Sequence, residues 1–425
     1  MRSALNEETD WKDRRFCIEA ISMQNLFLVS ARNEVMDMQH CDTEFARESR
    51  RYLHQHPELS GQEYYTAQFI REKLREFGIE YQAVGETGTY GWIKGHQDNG
   101  RKILLRADID ALPIEEQTDL PYKSVNPGVM HACGHDIHTA ALLAAAKKLA
   151  ELKDSFSGTV LLAFQQAEEF GHGAQYFQEQ GLTKGYDRAF GVHIAPDVPV
   201  GKVVLSRKAD AASCDFFRIT LTGRKAHTSK PHLGRDALQA GALLVGEIAK
   251  LPGRLLPASE PINIGIGTFK AGTSYNIIAD HAVIEGSFRA FSEDSRQQLK
   301  KKISELADSA GLSYGVQVLC EYDCFARALI NDETARQEMA QVAESLLGKD
   351  KVEISEAPIF GFAGDDFSEY LQESQGAYAH VGVYLEGSAS ARVLHSEKLA
   401  PAEEAVDIAA DLHINYALEY LGRND

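Results

Sequence analysis

The sequence predicts an α/β protein with a mainly parallel-sheet domain, into which a smaller α+β domain is inserted. Three continuous apolar runs, at residues 102–105, 159–164 and 189–192, alternate with helical stretches. This pattern is typical of parallel strands that are buried on both faces. Between residues 212 and 325 the order changes to β-α-β-β-α-β, the split-βαβ or ferredoxin-like plan. We therefore place the main domain at residues 41–211 and 326–425, with the insertion at residues 212–325.

The composition limits the classes of function that the protein can have. The chain has 425 residues, 44% of them hydrophobic and 25% charged, as in an ordinary globular protein. A formal net charge of −18 argues against nucleic acid or an anionic membrane as a partner. Six cysteines without a paired framework indicate a reducing, cytoplasmic compartment, and no apolar run is long enough to span a membrane. Residues 1–40, mostly charged, are expected to form a helical or disordered extension.

The elements of the main domain follow in order. Residues 45–78 predict two amphipathic helices around Pro57, and Gly78 ends the second. Residues 139–152, which follow the strand at 102–105, are rich in Ala, Leu and Lys and predict a helix. Later elements are a helix near 332–347, a strand at 379–384 and a closing helix at 401–421.

The insertion has its own predicted elements. Strands are expected at residues 216–221, 263–270, 276–291 and 313–321, and helices at 234–251 and 292–310. Gly272 is expected in the turn between the two middle strands.

The segment HACGHDIH at residues 131–138 holds three imidazoles, a thiol and a carboxylate just before the first long helix. Imidazole and thiolate bind borderline and soft divalent metals, so Cys133 and His135 are candidate ligands. The alternative is a helix cap with incidental histidines, which we disfavour because few caps need so many coordinating groups.

Polar residues also stand where each predicted strand ends. Asp108 and Asp110 follow the first strand, Glu168 and Glu169 the second, and His193 the third. In parallel sheets, ligands gather at the carboxyl ends of the strands. The sequence therefore predicts a site at this edge.

The candidate ligands number more than one closed zinc site requires. They are Cys133, His135, Glu169, His193 and His395. A closed structural zinc site takes four ligands, whereas this set suits two ions that share a water molecule. Glu168 is a spare carboxylate that can act as a general base. These residues fit metal-assisted hydrolysis of an amide.

Several motifs resemble the M20 metallopeptidase family, specifically its amidohydrolase branch. They are RYLHQHPELS (51–60), RADIDALPI (106–114), HACGHDIHTA (131–140), FQQAEE (164–169), AH (226–227), NII (276–278), GDDFS (364–368) and LHS (394–396). Three places depart from the family pattern. Gln166 stands where the family usually has proline, Asp365 where it usually has glutamate, and residues 396–399 where it usually continues with proline and an aromatic residue.

The resemblance implies a role for each matching residue. Cys133, with the other four candidate ligands, would hold two divalent ions (Mn, Zn, Co or Ni), and Cys133 would occupy the bridging position. Glu168 would be the general base, and His227 would stabilise the oxyanion from a neighbouring subunit. Asn276 and Arg289 would bind substrate. The carboxylates that would support the ligands are Asp108, Asp110 and Asp136.

The resemblance further implies a homodimer formed through a lid domain at residues 212–325. The substrate would be an N-acyl amino acid or a small aminoacyl conjugate. Two alternatives stay open: a dipeptidase or carboxypeptidase of the same family, and a catalytically silent small-molecule binder. A structural metalloprotein is disfavoured because it needs no spare base.

Overall fold

The computed structural model describes residues 38–422 of the chain. The expected N-terminal extension therefore lies outside the described residues, apart from its last three positions. From Gln39 onward the chain forms one compact unit. None of the helices in this described part is long and apolar enough to cross a membrane.

Helices and strands alternate along the described residues. The helices are α1 (Thr43–Gln55), α2 (Tyr64–Glu76), α3 (His135–Glu151), α4 (Gly173–Glu179), α5 (Ala237–Ile248), α6 (Glu293–Tyr314), α7 (Glu333–Leu347) and α8 (Glu404–Leu421). The strands are β1 (Glu80–Val84), β2 (Gly88–Lys94), β3 (Gln97–Asp108), β4 (Ser157–Gln165), β5 (Arg188–Pro199), β6 (Val203–Ser206), β7 (Ala209–Ala211), β8 (Cys214–Thr222), β9 (Ile262–Ala271), β10 (His281–Ala290), β11 (Gln317–Ala326), β12 (Leu329–Ile330), β13 (Val352–Ser355) and β14 (Gln375–Tyr384).

The larger sheet has eight strands in the order β1-β2-β4-β3-β5-β14-β6-β13. Its centre is parallel, because β3 pairs with β4 and β5, and β5 pairs with β14, all in parallel register. Antiparallel pairs occur towards its ends, between β1 and β2, β2 and β4, and β14 and β6. The predicted α/β class with a large, mainly parallel sheet is confirmed.

Helix α3 is buried almost completely, which is why its sequence shows no polar face. Every side chain from His135 to Ala146 is buried. A helix that is apolar on all sides belongs in a core, and α3 packs between β3, α1 and α8. Its first turn lies beside the ends of the central strands, and this position brings the 131–138 segment to the sheet edge.

The smaller sheet consists of four antiparallel strands in the order β11-β8-β10-β9. Helices α5 and α6 contribute to a separate apolar core with one face of this sheet. Its fully buried members include Ile219, Leu244, Phe288 and Ile303. The chain enters this sheet at Cys214 and leaves it at Ala326, and these two residues pair with each other.

Several predicted boundaries are wrong by a few residues. Helix α3 begins at His135 rather than at residue 139, since Gly134 in the left-handed conformation (φ 84°) already starts it. His193 lies inside β5 rather than at its end, because β5 stays paired with β14 beyond that residue. The strand expected from residue 276 begins at His281, and α6 continues to Tyr314 where the sequence suggested a strand.

The separate core of the small sheet should respond to truncation of a single side chain. On α6, Ile303 is fully buried whereas Leu312 is 87% exposed. We expect Ile303→Ala to lower the free energy of unfolding by about 2–5 kcal/mol, since it leaves a cavity. Leu312→Ala should change it by less than about 0.5 kcal/mol. Urea titration of both variants tests this, and equal effects would contradict the assigned core.

Candidate metal and catalytic site

The candidate site lies at the ends of neighbouring strands and at the turn after β4. Asp108, the last residue of β3, is in register with Gln165, the last residue of β4. The chain then turns and presents Glu168 and Glu169. His193 on the adjacent strand β5 is buried. The predicted gathering of acids and imidazole at one sheet edge is thus present in the fold.

Cys133 and His135 reach this edge because Gly134 lies directly on β5. A Cβ atom at Gly134 would overlap the side chain of Ile194, and its φ of 84° also favours glycine. The close approach places the Cys133 Sγ atom 3.5 Å from Nε2 of His193.

Two non-glycine residues among those described have positive φ, and both belong to the site. They are Ala167 (φ 52°), just before the glutamate pair, and His395 (φ 60°). Such strain persists only where surrounding contacts impose it, and it concentrates at functional sites. Ala167 N donates to Glu63 Oε1 at 2.9 Å, and His395 N donates to Ala132 O at 2.8 Å.

Among the described residues, two of the five groups of possible ligand atoms share Cys133, and another joins Glu168 to His135 and Glu169. Of the two that share Cys133, one contains Cys133, His135 and His193, and the other contains Cys133, Glu169 and His395; within each group the atoms lie within 4.8 Å of one another. The His395 Nε2 atom is 3.2 Å from Glu169 Oε1. The five side chains predicted as ligands are therefore brought together.

Hydrogen bonds fix which imidazole nitrogens are free. Nδ1 of His135 lies 2.9 Å from the Asp110 carbonyl oxygen, and Nδ1 of His193 lies 2.9 Å from that of Ile194. A carbonyl oxygen only accepts, so both Nδ1 atoms carry a proton, and Nε2 is the nitrogen that each ring can offer to a metal. His138 differs: its Nε2 accepts from Ile194 N and its Nδ1 faces Asp108, so it has no free nitrogen.

Two buried polar atoms at the centre form no hydrogen bond with any described residue, namely Nε2 of His135 and Oε1 of Glu169, although the His395 imidazole lies close to the latter. An unsatisfied buried polar atom is costly, and it calls for an explanation such as an ion. Both are lone-pair donors of the kind that divalent metals bind. The residues present therefore fit a metal centre.

The electrostatics of the site also indicate a metal centre. Burial lowers the pKa of His135, but the nearby Asp108 and Asp110 outweigh it and raise that pKa to about 10. Burial raises the pKa of Glu168 well above its usual value, and Asp365 and Glu169 add to this. Burial together with Glu169 likewise raises the pKa of the Cys133 thiol. The site has a surplus of negative charge, which divalent cations would neutralise.

The three predicted supporting acids contact different partners. Asp110 lies against Nδ1 of His135, whereas Asp108 lies 2.6 Å from Nδ1 of His138 and 3.8 Å from Nε2 of His135. Asp136 accepts from Arg50 at 2.8 Å and lies 2.9 Å from Nδ1 of His54, so it binds helix α1 rather than a candidate ligand.

A network around Arg106 lies next to Glu168 and was not foreseen as part of the site. The Arg106 guanidinium donates to Asp108 at 2.5 Å, to Gln165 at 3.0 Å and to Asp366 at 2.9 Å. Asp365 and Asp366 have oxygen atoms within 4.8 Å of the Glu168 carboxylate. Burial raises the pKa of Asp366 to about 7 despite Arg106. The DDF motif was visible in the sequence, but nothing there linked it to Glu168.

Glu63 is a second residue that the sequence did not single out. Its buried carboxylate accepts from Thr87 as well as from Ala167, so it holds the strained turn before Glu168. In the sequence Glu63 looked like one more position of helix α2.

His227, Asn276 and Arg289 lie on the small sheet and its loops. His227 is exposed, and its Nδ1 accepts from Ser229 N at 3.1 Å. The Asn276 side chain accepts a hydrogen bond from Ser274 Oγ at 2.8 Å. The Asn276 backbone carbonyl oxygen accepts one from Thr228 N, next to His227. Arg289 donates to the Phe362 carbonyl oxygen at 3.2 Å. These contacts place His227 and Asn276 together but do not join them to the Cys133 cluster.

Comparison with known proteins defines the family. Residues 104–419 match the model of the peptidase family M20/M25/M40. This range covers most of the chain, so the chain belongs to that family, as the sequence predicts.

Similar proteins indicate the class of enzyme within this family. The N-acetyl-L-cysteine deacetylase of Bacillus subtilis (strain 168) is 37% identical over 334 residues, which cover 78% of this chain and 79% of the relative. The hippurate hydrolase of Campylobacter jejuni subsp. jejuni is 35% identical over 392 residues, covering 91% and 98%. The chain is accordingly a metal-dependent amidohydrolase of the amidohydrolase branch.

A solved structure is similar over nearly the same length. It is the Bacillus subtilis YXEP protein, a dinuclear metal-binding peptidase from the M20 family. Its TM-score is 0.75 at 32% identity, and the alignment covers 89% of this chain and 98% of that one.

Asp110 should matter for metal affinity because it orients the His135 ring. We expect Asp110→Asn to raise the dissociation constant for Zn²⁺ by about 10- to 100-fold, as loss of such supporting carboxylates commonly does. Titration against a competing chelator measures this. Asp98→Asn, at an exposed position, is the control and should leave affinity unchanged. Equal affinity of both variants would refute the role of Asp110.

Proposed function

We propose that this protein hydrolyses the amide bond of N-acyl amino acids or small aminoacyl conjugates at a dinuclear metal site, with Glu168 as the general base. The observation that carries the proposal is the pair of ligand groups that share Cys133, next to a buried carboxylate that belongs to neither. A structural metal site would need no such carboxylate.

The residues that would hold two divalent ions are Cys133, His135, Glu169, His193 and His395. When bound, such ions polarise a carbonyl group and lower the pKa of the attacking water. The Nε2 atoms of His135 and His193 face other candidate ligands rather than structural partners, as does Oε1 of Glu169, and this supports the assignment. Mn, Zn, Co and Ni all suit this mixture of ligands.

Glu168 would move the proton that hydrolysis requires. It takes a proton from the attacking water and returns it to the leaving nitrogen, so the carboxylate is regenerated in each cycle. Its buried environment among Glu169 and Asp365 favours the protonated form, which suits a group that must carry a proton between two steps.

The substrate class follows from the similar proteins. The deacetylase and the hippurate hydrolase both have names that point to cleavage of an amide next to an amino acid. We propose the same class for this chain. The acyl group is left to experiment, because acetyl and benzoyl groups differ greatly in size.

We also propose that residues 212–325 act as a lid and form a homodimer. The separate core of the small sheet supports a domain that can move as one body. His227 is exposed and lies next to Asn276, as a residue that serves a neighbouring subunit would need to be. In this arrangement His227 stabilises the oxyanion, while Asn276 and Arg289 bind the substrate amide and carboxylate.

A substrate panel tests the reaction itself. We expect protein reconstituted with Mn²⁺, Zn²⁺, Co²⁺ or Ni²⁺ to release free amino acid from acetyl, benzoyl or indoleacyl amino acids, and a chelator to abolish release. Chromatography of the products measures this. Turnover of dipeptides alone would favour the dipeptidase alternative, and no turnover with any metal would contradict the proposal.

The general base can be tested separately from metal binding. We expect Glu168→Gln to lower kcat by about 10²- to 10⁴-fold, because the amide cannot take up the proton. Metal content, measured by elemental analysis, should stay at the wild-type level. Glu179→Gln, an exposed position on α4, is the control and should keep full activity. Unchanged kcat in the Glu168 variant would contradict its role as the general base.

A further inference from the structure

Phe325 stands where the small sheet returns to the main domain, and its backbone is irregular there. Cys324 pairs with Asp215 and Ala326 pairs with Cys214, so Phe325 is an extra residue that the partner strand β8 does not match. A β-bulge of this kind turns a side chain away from the direction that the regular strand would give it.

The ring of Phe325 fills a space between two loops of the main domain. At Gly171 a Cβ atom would overlap the ring, so the ring occupies the place of a missing side chain. At Gly364 a Cβ atom would lie 3.5 Å from Cδ1 of Phe325, in ordinary van der Waals contact. One side chain at the end of the insertion thus packs against both loops.

The first loop carries the proposed base and one proposed ligand. Gly171 N donates to the Glu168 carbonyl oxygen at 2.7 Å, and Gly173 N donates to that of Ala167 at 3.2 Å. These bonds close the tight turn that presents Glu168 and Glu169. Gly171 has a φ of 68°, a value that favours glycine in the turn, and its missing side chain also allows the close approach of the ring.

The second loop carries the acid that faces Glu168. Gly364 directly precedes Asp365, whose carboxylate has an oxygen atom within 4.8 Å of one on Glu168. Tyr378 donates to Asp365 at 2.6 Å and fixes the far side of this group. The Phe325 ring therefore packs against the turn that carries Glu168 and lies beside Gly364, the residue before Asp365.

We propose that Phe325 is a positioning residue that holds the Glu168–Glu169 turn and the Asp365 loop in their relative places. Because it belongs to the inserted segment, it also couples the position of the small sheet to the geometry of the site. The expected effect on kcat rests on the proposed function, whereas the packing role of Phe325 does not depend on that function.

The kinetic test uses three variants of the full-length, metal-loaded protein. Phe325→Ala should lower kcat by about 10- to 100-fold with little change in KM, because small misplacements of reacting groups are costly to the rate. Phe325→Leu, which still fills most of the space, should recover most of the loss. Phe216→Ala removes a 44% exposed ring from the neighbouring strand β8 and should behave like wild type.

A second measurement does not depend on turnover. Amide hydrogen exchange of Gly171 and Gly173 should be faster in Phe325→Ala than in wild type or Phe216→Ala, while exchange in the α3 core stays the same. If the wild type hydrolyses no amide but this local difference is found, the proposed function fails and the positioning role survives. Equal exchange at both glycines would overturn the positioning role.

The direct contact between ring and turn predicts a specific coupling. Gly171→Ala should impair kcat, because its Cβ collides with the ring and its φ is unfavourable for alanine. In the double variant with Phe325→Ala the collision is removed, so the combined loss should be clearly smaller than the product of the two single losses. A multiplicative loss would mean that the two residues act independently, which would contradict the proposal.

Discussion

The buried guanidinium of Arg106 is the interaction on which the site's geometry depends. It is almost wholly inaccessible and binds the end of its own strand, Gln165 on β4 and Asp366 from a segment 260 positions away. A buried cation in this position is stable only while all of its partners are present. The turn that follows Gln165 holds Glu168 and Glu169, so this charge fixes the point from which the turn begins.

Around this cation the protein accumulates more negative charge than it neutralises. Burial is the main cause of the raised pKa values of Glu168 and Asp366, whereas the pKa of His135 is raised by Asp108 and Asp110 against the effect of burial. Such an arrangement is unfavourable for folding alone, and it is understandable where bound cations complete it. The same charges that would hold the ions also set the proton affinity of the proposed base.

Much of the site could be predicted from the sequence, because Cys133, His135 and Glu169 stand next to recognisable strand and helix boundaries. The limits have physical causes. The sequence places His193 at a strand end because it interrupts the apolar run at residues 189–192, whereas pairing with β14 in fact continues through Ile194 and Ala195. The roles of Glu63, Arg106 and Asp365 depend on contacts between distant segments, which a local pattern does not encode. Phe325 lay beyond the end of the predicted strand at residue 321, since neither the extension of that strand nor its bulge is marked in the sequence.

The adjacent entry and exit of the small sheet have a consequence for the folding of the chain. Ala211 pairs with Leu329, and Cys214 pairs with Ala326, so the two connecting strands already lie side by side. The larger sheet can therefore close over a short connection or a long one with a similar entropic cost, since that cost grows only slowly with loop length. The length of the chain between these two strands is in this sense independent of the topology of the larger sheet.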